Sequence, residues 1–182
     1  MSTVITGKPG KPTLAARPGQ KGIDPRGQRV SAGITAVLLL VVVALGLRPL
    51  TPTVAARATE PAFILFAIIT LLFAWGAFAG VQRHPYGWLY KTIVRQHLTA
   101  PAELENPVPP SFAQGAGFLI TLVGSVLHLG AVPYALLIAA SAAFIAAFLN
   151  SAFGYCLGCQ IYLLFVRAGI FGTRGADAAL DA

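Results

Sequence analysis

From Val132 to Val166 the chain reads VPYALLIAASAAFIAAFLNSAFGYCLGCQIYLLFV, a stretch without a single charged side chain. As one continuous helix it would be about 50 Å long, against a bilayer core of about 30 Å. A single straight span cannot be that long. About twenty residues after Pro133 bring the chain to Ser151, and Gly154 and Gly158 follow as break points. The stretch therefore predicts a membrane span over 133–152 and then a short segment, Tyr155 to Val166, lying along the interface.

The rest of the chain has the same character. Of 182 residues, 56% are hydrophobic and 10% charged, and the mean hydropathy is +0.73. A soluble domain of this size carries roughly 25% charged residues and could not bury so much apolar surface. Three further apolar runs, 30–47, 61–81 and 112–129, are long enough to cross a bilayer. The predicted fold is all-α: an integral membrane four-helix bundle with amphipathic segments at the cytoplasmic interface. The lipid bilayer is its first partner. A net charge of +7 would suit nucleic acid, but the apolar bulk leaves no place for a basic groove, so nucleic acid is excluded as a partner. The first run is not a cleaved signal sequence, because a long polar lead precedes it and Arg48-Pro49 ends it well before Ala56-Arg57-Ala58.

Basic residues set the orientation. Six of the thirteen Lys and Arg lie before the first run, three (Arg83, Lys91, Arg95) in the middle loop and two (Arg167, Arg174) after the last apolar segment. The two remaining, Arg48 and Arg57, lie in the loop between the first two spans. By the positive-inside rule, both termini and the middle loop are cytoplasmic in a multi-pass protein of the plasma membrane. Residues 1–22, rich in Lys, Arg, Pro and Gly, read as a disordered tail, 23–166 as the membrane domain and 167–182 as a C-terminal tail. Gly22 to Gly27 reads as a turn, and Pro101 to Pro110 as an extended connector without helix. Tyr86 to Leu98 has the spacing of an amphipathic helix in the headgroup plane. If it packs on the 155–166 segment, Trp88 or Tyr90 would meet Tyr162 and form an aromatic floor under the cysteines.

Those cysteines carry the sharpest chemical signal. Cys156 and Cys159 are three apart, which on a helix places them on one face, close to disulfide reach. Thiol exchange needs one attacking thiolate and one resolving thiol, and the pair supplies both. If the break at Gly154 makes Cys156 the start of a short helix, free N–H groups there favour its thiolate, helped by nearby basic residues such as Arg83. In a reducing cytoplasm the resting pair should be dithiol. The competing reading treats both cysteines as small packing residues. Haem attachment is excluded because Gln160 follows the second cysteine. A Cys2His2 zinc site with His84 and His97 has an unsuitable separation, so no metal site is predicted. His84 instead opens the Arg83-His84-Pro85-Tyr86-Gly87 turn. Asn150, two turns before Cys156, is either a functional amide or an interhelical hydrogen bond. No Asp, Glu, Lys or Arg lies within the predicted spans, which argues against a charge-coupled transporter. No cofactor can be named.

Several segments together, Gly22-Ile23-Asp24-Pro25-Arg26-Gly27, Arg83-His84-Pro85-Tyr86-Gly87, Phe112-Ala113-Gln114 and Ala147 to Tyr162 with its CLGC motif, resemble a bacterial family of small multi-helix membrane proteins described only as a domain of unknown function. The resemblance covers about Ile23 to Val166. It implies a neighbourhood of thioredoxin-like proteins and rhodanese-type sulfurtransferases, and so a soluble partner of one of those kinds. The chain is also similar to the vitamin K epoxide reductase fold in its four helices and late C-x-x-C, but it lacks that family's second cysteine pair. The expected site is thus Cys156 and Cys159, supported by Asn150, Arg83, His84, Tyr86 and Tyr162. The expected function is thiol redox or sulfane-sulfur handling at the cytoplasmic face. The alternative is a non-enzymatic membrane scaffold that recruits a soluble sulfur or redox protein.

Overall fold

The computed structural model describes residues 14–16, 21–49, 51–101 and 103–170. Four of its helices are long and apolar enough to cross a membrane: α1 (Pro25–Gly46), α3 (Pro61–Phe78), α5 (Val108–Leu129) and α6 (Ala135–Phe153). A five-residue helix, α2 (Val54–Ala58), lies in the first loop. The middle loop opens with a 3-10 turn and continues as α4 (Pro85–Leu89), a π-helical turn (Tyr90–Val94) and a second 3-10 turn (Arg95–His97). After α6 comes α7 (Leu157–Arg167). The protein is an all-α membrane protein.

The long helices alternate in direction and close into a ring, α1 along α6 and α3, and α5 along α3 and α6. Leu39 and Val42 from α1, Phe66 and Ile69 from α3, and Leu136 and Ala140 from α6 make the core. Outward positions such as Val37, Leu71, Leu119 and Ile138 stay exposed, as expected of side chains that face lipid. Tight contact comes from small residues: a side chain at Gly124 of α5 would collide with Ala139 of α6, the close approach that membrane helix pairs use.

Two helices begin earlier than the sequence predicts, both for the same reason. Asp24 is the N-cap of α1 and accepts from the Arg26 N–H, with Pro25 in the first turn. The expected turn at 22–27 is therefore a helix start. Pro109 and Pro110 occupy the first turn of α5, and Asn106 accepts from the Val108 N–H, so the supposed extended connector already contains helix. First-turn N–H groups have no intrahelical partner, and proline loses nothing there. At the other end of α3, Gly80 takes φ of 80° and the helix stops at Phe78 rather than Val81.

The expected disordered tail is held where it is described. Ala16 N–H donates to Leu104 O, Asn106 N–H to Leu14 O, and Ile23 and Glu105 exchange both backbone bonds. The remainder of the tail and 171–182 lie outside the described residues. At the opposite end, Arg57 is only 4% exposed and ties the first loop to α5, donating to Thr51 O, Pro52 O and Leu129 O. Arg57→Met should destabilise the protein by about 3 kcal/mol, since bonds from a charged donor to buried carbonyls are lost together. Thermal unfolding followed by helical circular dichroism measures this, and an unchanged midpoint contradicts it.

Candidate functional site

Gly154 ends α6 in the left-handed region at φ of 68°, while its N–H and that of Tyr155 close the last turn on Asn150 O and Leu149 O. A non-glycine residue would be strained there by roughly 1–2 kcal/mol. The reversal delivers Cys156 as the N-cap of α7, and its Sγ accepts from the Cys159 N–H at 3.3 Å. An N-cap side chain folds back over the first turn, so two residues three apart bring their sulfurs together. Cys156 and Cys159 are joined by a disulfide, with Cα atoms 5.2 Å apart. The structure thus holds the bridged pair and not the expected dithiol. Cys159 is 3% exposed, whereas Cys156 is half-buried.

A cleft of about 70 Å³ opens beside the pair, lined among others by Gln28, Glu105, Gln114 and Asn150. It has room for a few waters or the tip of a thiol side chain. Asn150 thus lines the cleft beside the cysteine pair. Burial pushes the Glu105 carboxyl above its ordinary range. Arg29 caps the end of α6, donating to Ser151 O and Ala152 O, and its guanidinium lies against Gly154. Glu105, Gln28 and Arg29 were not singled out in the sequence. Glu105 lies in a proline-rich connector and the other two between the expected 22–27 turn and the first apolar run, so only tertiary contact reveals them.

Tyr162 is buried, but its ring lies 5.6 Å from that of Phe112 on α5. The expected aromatic floor is built differently. Tyr90 donates to Asp24 Oδ2 at 2.8 Å, Trp88 is exposed, and the 85–97 helix packs on α1 while α7 packs chiefly on α5. Asp24 also pairs with Arg26, which reaches Thr99 O. Burial opposes the Asp24 charge, but the bonds from Tyr90 and Arg26 and the Arg26 charge hold its carboxyl below the usual range. This network fastens the middle loop to the start of α1.

Arg83, His84 and Tyr86 stand apart from the cleft, under the end of α3. Trp75 Nε1 donates to Arg83 O. His84 Nδ1 accepts from the Tyr86 N–H, so Nε2 carries the proton and donates to Leu72 O at 3.1 Å. Tyr86 packs edge-on against the imidazole. His84 is the N-cap of α4, as its place at the turn implies. Burial pushes the His84 pKa down, more than the Leu72 bond raises it. The folded value lies below the ordinary 6.5. Stability from neutral His84 is therefore complete above that pH and lost as pH falls through the folded pKa. Acidification from pH 7.5 should loosen this corner, read by Trp75 fluorescence, and His84→Asn, which keeps a neutral cap, should abolish the effect. Among the described residues, no group of three His, Cys, Asp or Glu side chains could hold a metal ion.

A family model described as "Domain of unknown function (DUF4395)" matches residues 23–167. The chain belongs to this family. The DUF4395 match runs from the residue before the Asp24 cap to the last residue of α7, so it contains the whole bundle, the clasp at Glu105 and the cysteine pair. No curated protein and no solved structure matches the chain.

Proposed function

We propose that this DUF4395 protein exchanges thiol and disulfide, or passes sulfane sulfur, at the cytoplasmic face of the membrane through Cys156 and Cys159. The observation that carries this reading is the pair itself, closed into a disulfide at a helix N-cap with one sulfur half-buried, the other buried and a polar cleft beside them. Reduction starts when the thiolate of a soluble dithiol partner, of the thioredoxin-like kind, attacks Cys156 Sγ. The Cys156–Cys159 bond breaks, its electron pair passes to Cys159 Sγ, and Glu105 supplies the proton. The second partner thiolate attacks the partner sulfur of the mixed disulfide, and the Cys156 thiolate leaves. One disulfide becomes two thiols here as two thiols become one disulfide there, so atoms and electrons balance. In reverse, Cys156 attacks and Cys159 resolves, with the Cys159 N–H and the first turn of α7 favouring the Cys156 thiolate.

The orientation belongs to the same proposal, resting on eleven basic residues on one side against two on the other. Reporter fusions at residues 55 and 130 are expected to lie outside the cytoplasm, and a cytoplasmic signal at either overturns it. The function is tested by mass-tagged redox titration of the two thiols in membranes, with and without a persulfide donor. A reversible two-electron transition and a sulfur adduct on Cys156 support the proposal. A pair that neither reduces nor reacts from the cytoplasmic face leaves the cysteines as packing residues.

A further inference from the structure

A large cavity lies at the end of the bundle away from the cysteines, between the C-terminal ends of α1 and α5 and the N-terminal ends of α3 and α6. Its volume is about 750 Å³, within the range of pockets that hold small molecules. Leu45, Leu47, Ala62, Leu136, Leu137 and Tyr134 line it on its apolar side. Its polar lining includes Thr51, Glu60 and His128. Glu60 Oε1 accepts from Thr51 Oγ1 at 2.7 Å, and Oε2 lies 3.4 Å from His128 Nε2. Apart from that approach, the nitrogen has no hydrogen-bond partner among the described residues, although His128 is only 6% exposed. Phe63 stacks on the imidazole at 5.5 Å and holds its plane. Buried polar atoms are nearly always satisfied, so an unpaired one in the wall of a cavity marks where a ligand completes the set.

We propose that this cavity binds an amphiphile with a neutral hydroxyl head and an apolar body. A hydroxyl both donates and accepts at one oxygen, and here it donates to Glu60 and accepts from the Nε2–H of His128. An anionic head would face the Glu60 carboxylate. A cationic head would leave the imidazole N–H unpaired and would meet Arg48, which also lines the cavity. The apolar body lies along the leucines. The head chemistry is shared by a quinol and an acylglycerol. This site is independent of the cysteine chemistry.

The test uses the full chain in phosphatidylcholine nanodiscs, with empty discs as the blank. Labelled decyl-benzoquinol and monodecanoylglycerol are the probes, and decanoate and decyltrimethylammonium the charged controls. Saturable binding of at least one neutral probe, at one per chain, is expected, and the tighter of the two identifies the source of the head. Glu60→Gln and His128→Phe should each weaken it at least tenfold. Leu47→Trp, at an exposed position on the cavity wall, should do the same without altering the polar pair or the buried core. The proposal is overturned if no neutral probe saturates, if the ions bind as tightly, or if Leu47→Trp and Glu60→Gln both bind like the wild type.

Discussion

Cys159→Ser should convert the protein into a trap, accumulating a mixed disulfide or persulfide on Cys156, whereas Cys156→Ser should accumulate nothing. The difference follows from burial. Cys156 is half-buried and sits at the N-cap, while Cys159 is 3% exposed beneath it. An external sulfur therefore meets Cys156 first, and the adduct is released only when Cys159 attacks it. Without the resolving thiol the adduct persists. Without the attacking thiol, exchange should fall by at least about a thousandfold, as when an enzyme loses its nucleophile. Glu105→Gln tests the proton's route. Burial raises its carboxyl pKa and it lines the cleft beside the disulfide, so the variant should slow exchange by roughly a hundredfold if Glu105 acts as general acid, leaving trapping by Cys159→Ser intact. Non-reducing mass spectrometry of membranes exposed to a persulfide donor distinguishes the variants. Equal trapping by the two serine variants would remove the assigned order of attack.

The bundle was legible because its cause is local: four apolar runs of bilayer length and a glycine break after the fourth. The starts of α1 and α5 were not, because Asp24-Pro25 and Pro109-Pro110 read equally as turn or cap until the next turn of helix is seen. The pairing of 14–16 with 104–106 rests on backbone groups alone, which carry no sequence signature. For the site, Cys156, Cys159 and Asn150 could be named from spacing and depth in the membrane. Glu105 could not, since its burial arises from a clasp between two segments that each look unstructured. The aromatic prediction failed through a competing bond: Tyr90 pairs with Asp24, and Gly27 leaves room for its ring against α1.

Gly158 is where fold and site meet, and enlarging it should have the second large effect. A Cβ there would collide with Cα and Cβ of Ala113 on α5, with no flexible side-chain end to yield. Gly158→Val therefore forces α7 off α5, at a cost of about 1–3 kcal/mol for the overpacked contact. Ala113 also lines the cleft beside the disulfide, so the shift should open the cleft and expose Cys159. After reduction, alkylation of Cys159 by a small maleimide should rise at least tenfold, while Cys156 changes little. The smaller Gly158→Ala should show the same effects in reduced degree. Pairing it with Ala113→Gly removes the clash with Cβ but leaves that with the Cα of residue 113, so stability and the protection of Cys159 should recover only in part. Contacting residues couple in this way and distant ones do not. A double variant as damaged as the sum of its two single variants would show that the α5–α7 contact does not set the burial of Cys159.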